Sequence, residues 1–256
     1  MMDYALDHVV HFVDKPEIAS KYFHAIGLLA VSGGKHEMWG TYNGLSYFGL
    51  SYIEWISVFD DELLEKSAKQ PYSLHDTYKR MGYHKGLTRV ALRSNNLEQI
   101  AEKFRTQGYE VYGPENFSRV KPDGDRVSWQ LLYVGKKGQD LDFPFFIQWD
   151  ESDEERLRTL TAQGAVNKGI IEKVQFAVKD AISVATEWAA LLGSSVGDVN
   201  KSADGVTVSV NISNVEFVFY SKLTNVVGVQ KPMSVTIRGA GVKGSYEVEG
   251  ALYELR

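Results

Sequence analysis

The sequence carries one pattern of strand, helix and further strands several times over. Residues 6–13 align without a gap on residues 87–94, and a helix-like segment follows each of them. The interval from the candidate helix cap to the glycine that ends the helix is the same in three places, from Asp14 to Gly27, from Asn95 to Gly108 and from Asp180 to Gly193. Such a repeat indicates one supersecondary unit that is used several times. Ligand-type side chains that occur in one copy only are therefore the first candidates for chemistry.

The first copy predicts a unit in the order βαβββ. Three strand-like runs follow the first helix, at residues 35–42, 45–50 and 52–59. The helix itself has an apolar stripe of Ile18, Tyr22 and Ile26, which we expect to face the core.

The repeat predicts two domains. Residues 1–150 would hold two βαβββ units, at residues 1–59 and 84–149, joined by a helical connector at residues 60–83. Residues 165–256 would hold a third, degenerate unit followed by C-terminal strands.

Composition excludes several functional classes. The net charge of −5 argues against nucleic acid as a partner, because binding phosphates requires clustered basic residues. The absence of cysteine excludes disulfides, thiolate metal sites and a cysteine nucleophile. We expect no membrane span and, since the first residues contain no apolar run, a cytoplasmic protein. The expected partner is a small-molecule ligand, and a homo-oligomer stays open.

Aligning the units brings together polar residues from the first and last strands of each unit. The pairs are His8 with Glu54, Arg89 with Gln148, and Lys173 with Glu216. A histidine beside a carboxylate on a neighbouring strand is half of a site for a divalent cation such as Zn, Ni, Fe or Mn.

The chain resembles the vicinal oxygen chelate superfamily of glyoxalase, bleomycin resistance and dioxygenase proteins, and within it the glyoxalase-like domain group. The resemblance is carried by His8, by Glu54 and by residues 33–43, GGKHEMWGTYN, which are similar to the GG-x-H…GT-x-N signature of that group. It implies units that pair into curved mixed sheets with helices outside, and one cup formed within residues 1–150. We therefore predict an α+β fold of repeated βαβββ units.

The resemblance also implies an enzyme acting on small molecules. A divalent cation would act as a Lewis acid on adjacent substrate oxygens. His8, Glu54 and Gln148 would be the metal ligands, and Glu54 and His36 the catalytic residues. Isomerase, lyase and dioxygenase reactions all fit such a cup, and the sequence does not choose between them.

Arg89 departs from the pattern of the superfamily, because it replaces a second metal-binding histidine. A guanidinium stays protonated and cannot ligate a metal. Arg89 would instead bind an anionic group of the substrate by a two-pronged hydrogen bond, with Trp39, Thr41 and Gln148 as further substrate-binding residues. The alternative is a metal-free binding or sequestering protein that uses Arg89 and aromatic side chains. A cup filled by its own side chains is the third interpretation.

Structural interpretations compete at several positions. The sequence Asn43-Gly44 is a strong hairpin signal, so we expect Asn43 in a turn. His36 follows two glycines, and either faces a ligand or lies on the surface. We expect Lys173 and Glu216 to form a structural salt bridge.

The remaining histidines are expected to be structural or solvated. His11 alternates with His8 along the first strand and shares a face with Val9 and Val13, which predicts a buried core histidine. We expect His75 and His84 to be solvated in the connector, and His24 to lie on a helix surface.

Overall fold

The first half of the molecule is a curved sheet made of two βαβββ units. The computed structural model describes residues 4–120, 124–222 and 230–256. The first unit consists of β1 (Ala5–Phe12), α1 (Pro16–Ala25), β2 (Val31–His36), β3 (Thr41–Phe48) and β4 (Ser51–Val58). The connector holds the predicted helical structure, as α2 (Asp61–Ser67) and α3 (Leu74–Arg80). The second unit consists of β5 (Gly86–Arg93), α4 (Leu97–Thr106), β6 (Glu110–Val120), β7 (Arg126–Gly135) and β8 (Phe145–Trp149).

The two units join at their first strands. The strand order of the sheet is β2-β3-β4-β1-β5-β8-β7-β6. β1 is parallel to β4 and antiparallel to β5, with Val9 opposite Val90. After α5 (Asp153–Ala162), the short strand β9 (Val166–Asn167) pairs with β3 at the edge of this sheet. The predicted α+β fold of paired units in curved mixed sheets is confirmed.

The second half is a seven-stranded sheet of similar design. Its first unit has all five elements, in β10 (Ile170–Ala177), α6 (Ala181–Leu192), β11 (Val196–Lys201), β12 (Gly205–Ile212) and β13 (Val215–Lys222). Three strands follow within residues 230–256, with no helix among them, in β14 (Lys231–Arg238), β15 (Gly244–Val248) and β16 (Ala251–Leu255). The predicted salt bridge is confirmed, with 2.9 Å between Lys173 Nζ and Glu216 Oε2. The division of the chain into two domains stays a prediction.

The first sheet separates two apolar layers, because its strands alternate between faces. Val9 and Val90 belong to a core that includes α1 and α4 and continues without a break into the second half. Val10, Phe12 and Ala91 belong to a separate cluster on the other face. That second face is concave and forms the floor of the cup.

His11 is a buried core histidine, as predicted. Its Nδ1 lies 2.7 Å from the hydroxyl of Tyr253 on β16, and its Nε2 lies 3.3 Å from the carbonyl oxygen of Glu249. Burial lowers the pKa of His11 to about 4. The ring is therefore neutral near pH 7 and joins the two halves through polar contacts inside the core.

The predicted buried stripe of α1 is wrong by one position around the helix. Ile18 is 55 % exposed and Tyr22 is 39 % exposed, whereas Ala19 and Phe23 are fully buried. The helix begins after Lys15, with Pro16 in its first turn. Both stripes have the spacing of a helical face, and the ring of Phe23 occupies the core between Trp55 and Tyr253.

None of the helices within residues 4–120, 124–222 and 230–256 combines the length and the apolar composition needed to cross a membrane.

Candidate active site

The concave face of the first sheet encloses a narrow cavity with one polar side and one aromatic side. The volume of the cavity is about 60 Å³. His8, His36 and Glu54 line it from β1, β2 and β4. Aromatic rings from the second unit and from the turn after β2 face them, among them Trp39, Trp129 and Phe145. The cavity is therefore a cup open to a small, partly apolar ligand.

Asp7 and Glu54 flank His8 in this cup. His8 is only 4 % exposed, and its Nδ1 lies 2.7 Å from Asp7 Oδ1. Its Nε2 lies 3.5 Å from Glu54 Oε2 on the neighbouring parallel strand. The three side chains form a buried row that ends at the cavity.

A bulge in β1 explains how the adjacent residue Asp7 reaches His8. The register between β1 and β5 shifts between Leu6 and His8, which leaves Asp7 without a paired residue on β5. A bulge of this kind re-aims a side chain that would otherwise alternate to the opposite face. Asp7 also accepts a hydrogen bond from Trp149 Nε1 at 2.9 Å.

The carboxyl group of Asp7 is ionised at neutral pH. Its burial alone would raise its pKa, but the hydrogen bond with His8, the positive charge of Arg156 and the bond from Trp149 together lower the pKa to about 2. An ionised carboxylate only accepts hydrogen bonds, so His8 donates its Nδ1 proton to Asp7. The other ring nitrogen, Nε2, faces Glu54.

Asn43 holds the carboxylate of Glu54 from the middle of β3. Asn43 Nδ2 donates to Glu54 Oε1 at 2.5 Å, while Glu54 Oε2 stays directed at His8. The predicted turn at Asn43 is wrong, because Asn43 pairs with Gly34 on β2 and with Ile56 on β4. The turn lies at residues 37–40 instead.

His36 lies in the cup as a neutral ring. Burial, together with the positive charge of Arg119, lowers its pKa to about 3. Its Nδ1 lies 3.1 Å from the hydroxyl of Thr41, and its ring centroid lies 5.4 Å from that of Trp39. Thr41 is fully buried behind His36 and does not line the cavity, so its contact is with His36 rather than with a ligand.

His75 is not solvated, contrary to the prediction. It lies on α3, is 2 % exposed and lines the cavity beside Trp39. Its Nε2 has no hydrogen-bond partner among the residues that the structure describes. Burial lowers its pKa to about 4. The connector is thus part of the cup, whereas His24 and His84 are exposed as expected.

The sequence profile of the glyoxalase-like domain matches residues 6–192, which includes every element of the cup. The chain belongs to the glyoxalase-like domain family. The resemblance predicted from residues 33–43, His8 and Glu54 is therefore confirmed. In the glyoxalase-like protein one cavity is lined by His8, Glu54 and, from residues 33–43, by His36, Trp39 and Asn43.

Solved structures support the same fold. A hypothetical protein from Staphylococcus aureus is 27% identical and superimposes with a TM-score of 0.86, covering 99% of each chain. A mutant of 4-hydroxymandelate synthase from Streptomyces coelicolor is 10% identical, with a TM-score of 0.61 over 95% of this chain and 72% of the synthase. No curated protein matches the chain.

Arg89 does not reach the cavity of the glyoxalase-like protein. It stands on the concave face opposite Val10, but its guanidinium is buried beneath the connector. Nη1 donates to the carbonyl oxygen of Tyr72 and to the hydroxyl of Thr77, and Nη2 donates to the carbonyl oxygen of Phe143. These internal acceptors occupy both Nη groups, so we correct the predicted substrate-binding role of Arg89 to one of anchoring the connector.

Gln148 faces away from the cup, which removes it as a ligand for metal or substrate. Ile147 and Trp149 on the same strand line the cavity, so alternation directs Gln148 to the opposite face. There its Oε1 accepts from the backbone N–H of Leu97 at 3.0 Å, at the start of α4. Aligning Gln148 with Glu54 therefore predicts the wrong face of the sheet for the side chain of Gln148.

The divalent cation implied by the family finds two ligands in the cup. His8 Nε2 and Glu54 Oε2 are 3.5 Å apart, which suits two ligands of one metal, and Asp7 and Asn43 hold these side chains from behind. Within residues 4–120, 124–222 and 230–256, no three His, Asp or Glu side chains are arranged to hold a metal ion. Catalytic zinc sites use three protein ligands. The donor set therefore does not complete a metal centre, and we derive no step through one.

The sequence analysis did not predict Asp7, Arg119 or Trp129 as residues of the site. Asp7 would read as one more alternating strand residue, since nothing in the sequence marks the bulge that turns it towards His8. Arg119 and Trp129 come from the long hairpin of β6 and β7, and they reach the cavity because the sheet curves. The only local signal is that Asp7 directly precedes His8.

Three buried histidines predict that the protein loses stability in mild acid. The pKa values of His11, His36 and His75 lie below the ordinary value of 6.5, mainly because of burial. The unfolded chain therefore binds more protons than the folded one between about pH 6.5 and pH 4. We expect the unfolding free energy to be fully present above about pH 6.5 and to fall below it, by at most about 1.4 kcal/mol per pH unit for each histidine.

Urea unfolding between pH 7.5 and pH 4.5 measures this loss. His75→Leu should make the dependence shallower, whereas His84→Leu, at an exposed position of the same connector, should leave it unchanged. An unfolding free energy that does not vary across this range would contradict the prediction.

Proposed function

We propose that this glyoxalase-like protein is a small-molecule enzyme that moves protons between atoms of a substrate held in the cup, as an isomerase or a lyase does. The observation that supports this function is the buried row of Asp7, His8 and Glu54. His8 and Glu54 line the cavity, and two of their atoms that can accept or donate a proton, Nε2 and Oε2, lie 3.5 Å apart. Proton transfer by positioned side chains accelerates reactions by about a hundredfold to ten-thousandfold.

Each member of the row has a separate task. Glu54 Oε2 accepts a proton from a substrate atom, while Asn43 keeps the other carboxylate oxygen in place. His8 Nε2 accepts that proton from Glu54 or gives one to a second substrate atom. Asp7 holds the Nδ1 proton and stabilises the imidazolium that forms when Nε2 is protonated. One proton leaves the substrate and one returns to it, so the pair ends in its starting state.

The aromatic side of the cup supports this assignment. Trp39, Trp129 and Phe145 make one side of the cavity apolar. Charge on Glu54 and His8 is weakly screened in such surroundings, which strengthens their action on a bound substrate. A planar or unsaturated substrate fits between the rings.

We do not propose Lewis-acid or oxygenase chemistry, which the family also implies, because the cup offers two metal ligands rather than three. A metal content near one equivalent in protein purified without a metal-affinity tag, lost in both His8→Ala and Glu54→Ala, would overturn that choice. Elemental mass spectrometry of the three proteins provides the measurement.

Hydrogen exchange into substrate carbon tests the proposed activity. The protein is incubated in D2O with a panel of small 2-oxo acids and hydroxy ketones that carry alkyl or aryl groups. We expect deuterium to enter at least one compound next to its carbonyl group faster than in buffer. Glu54→Gln and His8→Gln should lower that rate by about a hundredfold or more. Mass spectrometry follows the exchange.

Glu216→Gln is the matched control. Glu216 lies on β13, which pairs with the first strand of its unit as β4 does, but it forms a half-exposed ion pair with Lys173. This variant should exchange deuterium like the wild type. No exchange with any compound, or equal rates in the wild type and Glu54→Gln, would favour the second candidate function, a binding or sequestering protein. The aromatic lining of the cup supports that alternative, although Arg89 no longer contributes to it.

The proposed partner is therefore a small-molecule ligand. A cytoplasmic location and a homo-oligomeric state remain predictions.

A further inference from the structure

A larger chamber adjoins the catalytic cavity on the side of α5. The volume of this chamber is about 280 Å³, whereas the volume of the inner cavity is about 60 Å³. Tyr47, Arg119 and Trp149 line both spaces. A ligand that reaches Glu54 therefore places only part of itself in the inner cavity, and the rest lies in this outer chamber.

Arg156 lines the outer chamber with an unused donor. The residue is 6 % exposed, and its guanidinium carbon lies 4.2 Å from the ring centroid of Trp149. Its Nη1 is buried and has no hydrogen-bond partner among residues 4–120, 124–222 and 230–256. Asp7 Oδ2 and Asp153 Oδ1 are its nearest carboxylate oxygens, at 3.6 Å and 3.9 Å, beyond hydrogen-bond distance. The two carboxylates balance the charge of Arg156, but its Nη1 proton lacks a hydrogen-bond acceptor, and an acceptor on a ligand would supply one.

α5 and the strand after it hold Arg156 rigidly. Ser152 and Glu155 form a capping box at the start of the helix. Beyond the helix, Asn167 on β9 bonds to the backbone of Leu29 and to the carbonyl oxygen of Tyr47 on β3. The helix is thus capped at its start and tied to the sheet through β9 beyond its end, which limits the freedom that Arg156 loses on binding a ligand.

Arg119 supplies a second cation that lines the chamber. Its Nη1 donates to the carbonyl oxygen of Gly33, which directs the guanidinium over the boundary between the two spaces. The phenol of Tyr47 lies close to both arginines. Burial raises the pKa of Tyr47 to about 12, and the positive charges of Arg156 and Arg119 act in the opposite direction.

From this geometry we propose that Arg156 and Arg119 bind a carboxylate of the substrate in the outer chamber, while an aryl or other flat apolar part of the same molecule enters the inner cavity. The proposal rests on the proposed function, because it names the substrate class of that same site. Guanidinium groups match the planar carboxylate by paired hydrogen bonds. Glu151 lines the chamber, and Asp7 and Asp153 lie beside Arg156, so these acidic groups repel a phosphate dianion more strongly than a carboxylate with a single charge.

Matched pairs of acids and amides test the proposal directly. Phenylacetate and benzoate are compared with phenylacetamide and benzamide, which have nearly the same shape but no charge. Binding to the full chain is followed by the fluorescence of the tryptophans and by ligand-observed NMR. We expect the acids to bind at least tenfold more tightly than the amides, and raised sodium chloride to reduce the difference.

Variants locate the binding. Arg156→Gln and Arg119→Gln should each weaken acid binding about tenfold to a hundredfold and leave amide binding unchanged. Arg158→Gln is the matched control, because Arg158 is an exposed arginine of the same helix and loses the same charge. Thermal unfolding and far-ultraviolet circular dichroism confirm that each variant is folded. Equal binding of acids and amides, no binding of either, or full acid binding by Arg156→Gln would overturn the proposal.

The same measurements separate this proposal from the proposed function. Glu54→Gln removes the proposed base but none of the carboxylate contacts, so Arg156→Gln should weaken phenylacetate binding in the Glu54→Gln background by the same factor as in the wild type. If acid binding depends on Arg156 while no variant changes deuterium exchange, the anion site stands and the enzyme assignment fails. Tighter binding of inorganic phosphate than of benzoate would also overturn the choice of a carboxylate.

Discussion

Replacing Asp7 by asparagine should lower the deuterium-exchange rate by about a hundredfold or more, without a change to any group that touches the substrate. The carboxylate fixes the proton of His8 on Nδ1 and leaves Nε2 free to accept one. An amide in its place can donate to Nδ1, which moves the ring proton to Nε2 and removes the acceptor from the cavity. Asp7 is therefore a positioning residue, and its loss acts through His8.

Nitrogen-15 NMR of the His8 ring distinguishes this effect from general damage. The wild type should show the proton on Nδ1, whereas Asp7→Asn should show it on Nε2 or exchanging between both. Asp14→Asn removes an exposed carboxylate just after the same strand and serves as the control. Wild-type exchange rates in Asp7→Asn, or an unchanged tautomer of His8, would contradict the assigned role.

Replacing Phe23 by alanine should destabilise the whole chain by about 3 to 5 kcal/mol, the usual cost of removing a fully buried phenylalanine ring. The ring lies in a gap between Trp55 of the first sheet and Tyr253 of the second, with centroids 4.5 Å and 5.1 Å away. The cavity left behind would loosen both halves at once. For a chain of this size the midpoint of thermal unfolding should fall by about 6 to 20 °C.

Calorimetry of the two proteins measures that loss. Ile18→Ala shortens another apolar residue of the same helix at an exposed position and should change the unfolding free energy by less than about 0.5 kcal/mol. A loss below about 1 kcal/mol in Phe23→Ala would show that the ring does not connect the halves energetically.

The repeat predicted the βαβββ units, and the resemblance to the glyoxalase-like group predicted how these units pair into curved sheets. The faces of β1 follow from a period of two in a strand that is buried on both sides, so His8 and His11 were assigned to opposite faces from the sequence. Where two patterns competed, the sequence had no means to choose. Either stripe of α1 could face the core, and Asn43-Gly44 reads as a turn although the chain turns before Thr41.

The candidate site was harder to predict, because it depends on contacts between distant segments. His8, His36 and Glu54 were found through the family signature and do line one cavity. Arg89 and Gln148 were assigned by aligning units, which ignores the connector that covers Arg89 and the alternation that turns Gln148 away. Asp7 and Arg156 carry much of the chemistry proposed for the site, and their placement depends on a bulge and on a helix beyond the second unit.

The C-terminal strands depend on the first half of the molecule for part of their packing. β14, β15 and β16 occupy the places of a fourth unit, yet residues 239–243 form a loop where the other units have a helix. Tyr253, on the last of these strands, packs instead against Phe23 of α1 and bonds to His11 of β1. Within residues 230–256, strands β14, β15 and β16 have no helix of their own, so they depend on α1 for part of their packing. The first helix and the last strands therefore share one core, and we expect them to unfold in a single cooperative transition.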